Sequence, residues 1–184
     1  MKFKKSIILF GIIVLVIILF RGHIYRALVN YREIGIREPV RVTNKDIIRE
    51  INNRIDDRKL DLEEIANISQ EIAKDKLKFT FKKTSHNPNV VYDMGEANCM
   101  GYSSLCNAIG NFIIKKQKDE DRYVARHIYG KLEIFGIDLN GLFKSNFFKT
   151  HDYNEIREYK ANRSIFFDPS IGDYLKIKKV SSKE

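Results

Sequence analysis

Cys99, His151 and Asp168 are the three side chains of this sequence that together make a cysteine nucleophile possible. A thiol attacks, an imidazole takes and returns its proton, and a carboxylate orients the imidazole. Asn98-Cys99-Met100-Gly101-Tyr102-Ser103 opens a long amphipathic stretch. A helix start suits a thiolate, because first-turn N–H groups and the helix dipole favour an anion. Gly101 is read as room for a substrate backbone to approach. His151 heads a strand-like run in which His151, Tyr153 and Glu155 alternate with Asp152, Asn154 and Ile156, the second set facing outward. Asp168 closes Ile165-Phe166-Phe167 and precedes Pro169, placed to accept the other ring N–H of His151. Each also has an ordinary structural alternative: a buried core thiol, a strand-end histidine, a turn cap before proline.

The remaining candidates point elsewhere. His23 belongs to a membrane edge, His86 to the polar loop Thr84 to Pro88, and His127 to a strand as a core or supporting residue. Cys99 and Cys106 on one helix stand ~10.5 Å apart along its axis, too far for a disulfide. Neither Cys-x-x-Cys nor a close histidine pair is present, and no phosphate-cradling loop, so no metal or organic cofactor is implied. The net charge of +9 includes blocks such as Lys115-Lys116-Gln117-Lys118. Without a nucleic-acid motif these read as solvated faces, and no nucleic-acid partner is expected.

The elements that must position these groups follow from pattern. Ile7 to Phe20 is continuously apolar apart from Gly11, behind Lys2, Lys4 and Lys5. That is the layout of a signal anchor, and no small-x-small cleavage site follows it. Residues 1–22 are therefore an N-terminal transmembrane helix, and 23–42 a juxtamembrane connector, partly helical at first and ended by Pro39. Residues 43–184 form the domain, expected on the extracytoplasmic side of a single-pass protein. Thr43 to Asp46 offers a cap for a helix carrying Ile47, Ile48, Ile51 and Ile55. Asp61 and Glu64 open a second helix with Leu62, Ile65, Ile68, Ile72 and Leu77. Lys82 to Ala97 is irregular, and the Cys99 helix runs to about Lys116 on Tyr102, Leu105, Cys106, Ile109, Phe112 and Ile113. Tyr123 to Tyr129, Phe147 to Ile156 and Ser164 to Asp168 read as strands. Gly136, Gly141 and Asn162 mark turns. The fold class is α+β, with helices packed on an antiparallel sheet.

The chain order Cys99 at a helix start, Arg126 and Gly130 in the next strand, His151-x-Tyr153-x-Glu155, then Asp168-Pro169-Ser170 resembles the transglutaminase-like superfamily. The resemblance covers about Leu60 to Asp173. It implies a papain-like core with Cys99 as nucleophile, His151 as base and acid, and Asp168 as orienter. The family commonly carries tryptophan where Tyr153 stands and threonine where Ser170 stands.

The expected activity is acyl transfer at a membrane: amide hydrolysis, or transamidation when an amine is the acceptor. The expected partner is a peptide or protein substrate. The alternative is a catalytically inactive transglutaminase-like binding domain at the membrane.

Overall fold

A computed structural model describes residues 2–56 and 58–183. In chain order, α1 (Lys2–Leu28) leads into β1 (Val29–Arg37), then α2 (Lys45–Ile55), α3 (Leu62–Lys76) and β2 (Lys78–Phe79). After these come α4 (Pro88–Met94), β3 (Glu96–Ala97) and α5 (Cys99–Lys116). The second half holds β4 (Tyr123–Ile134), β5 (Ile137–Asp138), β6 (His151–Glu158), β7 (Arg163–Phe167), α6 (Pro169–Leu175) and β8 (Ser181–Lys183). It is a mixed α/β chain with helices packed on a sheet.

The helices form where the sequence supplies caps and stripes. Asp61 and Glu64 close a full capping box at α3, each side chain accepting the other's backbone N–H at 2.9 Å. At α2 the cap is Asn44, one residue later than the Thr43 start, and its Oδ1 accepts from Asp46 and Ile47. The stretch 82–97, expected to be irregular, contains α4: Asn87 caps it, Pro88 starts it, and Gly95 ends it at φ 69°. The strand expected from Phe147 begins only at His151. Asn140 binds the Leu132 N–H and the Phe148 carbonyl, which holds residues 140–148 as a folded loop.

The main sheet runs β7-β6-β4-β1-β8, with β5 paired to β4, and is antiparallel except where β8 lies parallel to β1. The segment 23–42 is therefore not a connector. Its residues 29–37 form an interior strand, bonded on one side to β4 from Val29↔Ile134 to Arg37↔His127 and on the other to β8. Tyr31 is buried there, packed in one core cluster with Ile128 and Tyr153.

Helices α2, α3 and α5 cover one face with Ile51, Ile65, Ile72, Leu105 and Ile109, meeting Ile156 and Phe167 from the sheet. Val29, Tyr31, Ile128, Tyr153 and Val180 form a smaller core on the opposite side. The Asp152, Asn154 and Ile156 face, expected to be outward, is buried: Asn154 Nδ2 donates to the Ser103 carbonyl of α5. The reason is that β6 lies between β4 and β7, with a core on each face.

Helix α1 is long and apolar enough over Leu9–Leu28 to cross a membrane, and none of that window is buried against the domain. Apolar surface of that extent, left in water, is strongly unfavourable. It extends six residues beyond the expected anchor boundary before the chain enters β1.

Candidate active site

Asp168 lies at the junction of β7 and α6 and is fully buried. Its Oδ1 caps α6, accepting from Ser170 N (3.0 Å), Ile171 N (3.1 Å) and Ser170 Oγ (2.6 Å). Its Oδ2 accepts from His151 Nε2 at 2.5 Å and from the Tyr31 hydroxyl at 2.8 Å. Turn cap and ring orienter are thus one residue, with a separate oxygen for each task. Such a carboxylate is fully satisfied by donors, which is the condition for burying it.

His151 is the first residue of β6 and is 16% exposed. Its ring packs edge-on against Tyr31, centroids 5.9 Å apart. Burial alone pushes the imidazole toward neutrality. The Asp168 charge and hydrogen bond, joined by the hydrogen bond and charge of Cys99, outweigh it and hold the ring's pKa well above the usual value. Asp168 responds in the opposite sense. Burial raises its carboxyl, but the His151 charge and hydrogen bond and the Ser170 contact bring it below the ordinary range. Both directions describe an imidazolium–carboxylate pair.

Cys99 is the first residue of α5, capped by Asn98, whose Oδ1 accepts from Gly101 N at 3.2 Å. Its free, half-buried thiol lies against the His151 ring, and the two share the lining of a cavity of about 310 Å³. The structure therefore brings Cys99, His151 and Asp168 into one cluster. With Nε2 engaged by Asp168, Nδ1 is the ring nitrogen left for the thiol. Cys106 is different in kind: buried, its thiol donating to the Ser69 carbonyl at 3.3 Å, and pushed up in pKa by burial and the Asp168 charge.

Gly101 does not serve a substrate. A Cβ there would lie 2.7 Å from Ala97 Cβ and 3.3 Å from the Ser85 carbonyl, so the close approach is within the chain itself. His127 stays out of the thiol's cluster. It is buried and bonded through Nε2 to Asp152 Oδ1 at 2.9 Å, and Arg37 donates to both Asp152 oxygens. Burial raises the Asp152 carboxyl, but the His127 and Arg37 hydrogen bonds bring it below its usual value. His86 is exposed, and His23 sits on the exposed side of α1 against Phe20.

Two parts of the site escape sequence reasoning. Tyr31 was hidden in the apparent connector, although Val29-Asn30-Tyr31-Arg32-Glu33 already alternates like a strand. The aromatic wall of the cavity, including Phe79, Phe81, Phe143, Phe148 and Tyr174, comes from three separate segments with no common period. Among the described residues, no group of three or more His, Cys, Asp or Glu side chains is placed to hold a metal ion. No family model, curated protein or solved structure matches this chain.

Proposed function

We propose that this chain is a membrane-anchored thiol enzyme of acyl transfer, related to the transglutaminase-like superfamily through the order of Cys99, His151 and Asp168. The observation that supports it most is the shared ring: His151 meets the Asp168 carboxylate on one side and the Cys99 thiol on the other. His151, in contact with the thiol, is placed to take the Cys99 proton as the sulfur attacks. The sulfur attacks an acyl carbonyl, and His151 gives its proton to the departing group, leaving an acyl thioester on Cys99. Water or an amine then attacks with His151 as base. The Cys99 N–H, at the first position of α5, has no partner within the helix and suits the developing oxyanion. Helix α1 holds the domain at the membrane, with the domain extracytoplasmic and the three leading lysines inside.

The test is alkylation by iodoacetamide across pH, read by mass at Cys99 with buried Cys106 as internal control. Rapid reaction near neutrality, slowed at least ~10-fold in His151→Ala, supports the enzyme. A thiol that reacts only near pH ~8.5, indifferent to His151, leaves a binding domain without turnover.

A further inference from the structure

Taking the thiol acyl-transfer reading as its premise, we infer that the acyl donor is a membrane lipid, its chain entering the cavity beside Cys99 from the bilayer. The first ground is the lining. Cys99 and His151 are the reacting groups of a cavity otherwise walled mainly by phenylalanine and aliphatic side chains. Its volume of about 310 Å³ is at the lower end for small-molecule sites. A peptide backbone asks for hydrogen-bonding groups along its path; this wall offers mostly apolar contact.

The second ground is where the cavity sits. Tyr174 of α6 lines it, and the next residue, Leu175, accepts a hydrogen bond through its carbonyl from Arg21 Nε at 2.7 Å. Arg21 follows Phe20, the last residue of the apolar run. One wall of the cavity is thereby tied to α1 directly after its continuously apolar run. From Tyr174 a chain of rings runs along the lining: Phe79 at 5.2 Å, Phe81 a further 5.1 Å on, then Phe148 at 6.3 Å and Phe143 at 4.9 Å, centroid to centroid. Ile7 to Phe20 alone covers only ~21 Å of a ~30 Å hydrocarbon core, so the membrane-crossing window Leu9–Leu28 takes in Arg21 and brings this wall of the cavity toward the bilayer.

The third ground is the rim. Phe81 and Leu142 are each 69% exposed and Phe143 48%, beside exposed Tyr174 and Leu175. Exposed lysines follow directly: Lys82 and Lys83 after Phe81, Lys144 after Phe143, Lys149 after Phe148. Aromatic groups edged by lysine match an interface of acyl chains and anionic headgroups.

The step balances with water alone. The Cys99 sulfur bonds to the ester carbonyl carbon, the carbon–oxygen bond breaks, and the alcohol departs with the His151 proton. Water then attacks the thioester and gives its proton to His151. The fatty acid leaves and the sulfur recovers its initial state.

The experiment uses the full chain in phosphatidylcholine–phosphatidylglycerol vesicles of graded acyl length, acid-quenched, with adducts weighed by intact mass spectrometry and Cys99→Ser as control. The expected result is a Cys99 adduct whose mass follows the lipid's chain. From the bilayer its rate should vary little with chain length, because the chain leaves one apolar medium for another, whereas p-nitrophenyl esters taken up from water should react up to roughly fourfold faster per added methylene until the cavity is filled. p-Nitrophenyl acetate, read the same way, reports the thiol chemistry separately. In Phe143→Glu, checked for folding by circular dichroism, the ratio of long-chain to acetyl rates should fall at least ~10-fold. Acetylation dependent on His151 without any lipid adduct overturns the lipid donor and leaves acyl transfer standing, as does preference for apolar peptide amides over lipids. No adduct from any donor overturns both.

Discussion

Tyr31 and Asp168 are 137 positions apart, and the hydroxyl of one donates to the carboxylate of the other at 2.8 Å inside the protein. The oxygen that accepts it is the one that holds His151. The strand directly following α1 therefore helps fix the position of the ring that lies against the Cys99 thiol. Tyr25 of α1 extends the chain, its hydroxyl 2.8 Å from that of Tyr31.

Tyr31→Phe keeps the ring and removes the donor. The loss of a buried hydrogen bond to a charged group should cost about 1.5–3 kcal/mol in urea unfolding. Burial and the Asp168 charge keep the Tyr31 hydroxyl protonated, so this contribution should not vary between pH 5 and 9. An unchanged unfolding midpoint would show that the bond carries no weight.

Asp168 performs two tasks that substitution can separate. Asn is as good a helix cap as Asp, whereas Ala is not one. Asp168→Asn should retain the α6 cap and lose the charge beside His151. Asp168→Ala should be less stable than Asp168→Asn by about 1 kcal/mol. Both should slow Cys99 alkylation at neutral pH. Equal stability of the two variants would count against the capping role of Oδ1.

The charge pair predicts a defined pH window for stability. The folded pKa of His151 is raised, so its contribution is complete below the unfolded value of ~6.5 and fades as pH climbs through the folded value. The folded pKa of Asp168 is lowered, so its contribution is complete above ~3.9 and is lost as pH falls through the folded value. The Tm difference between the native chain and His151→Gln should be greatest between about pH 5 and 6.5 and narrow toward alkaline pH. A difference that widens above pH 7 would mean the ring is held neutral.

Gly130 tests the placement of β1. A Cβ there would fall 2.3 Å from the Arg32 carbonyl, backbone against backbone with nothing flexible to yield. Gly130→Ala should cost about 1–3 kcal/mol and loosen the β1–β4 pairing. Faster amide exchange in residues 29–37 would register it. A neutral substitution would show that β1 does not lie where the register puts it.

How far the residues speak for themselves differs along the chain. The capping box at Asp61, the helix from Cys99 to Lys116 and the exposed apolar run before Arg21 were all legible, because each depends on groups within a few positions of one another. So were the identities of a thiol, an imidazole and an acid in workable order. Alternation in β6 separated His151 and Tyr153 from Asp152 and Asn154, but it carried no information about what covers either face. The buried Asp152–His127–Arg37 network and the strand role of Val29–Arg37 were lost for the same reason.

Sequence alone determined which groups exist, which capped and striped segments are helical, and that one run is apolar on every side. Only the tertiary structure decided that Asp168, His151 and Cys99 meet, and that Tyr31 joins them. Local propensity acts over a turn or two, while strand order is chosen by burial across the whole chain. Setting β6 between β4 and β7, with β1 beyond β4, is what converts distant positions into contacts of under 3 Å.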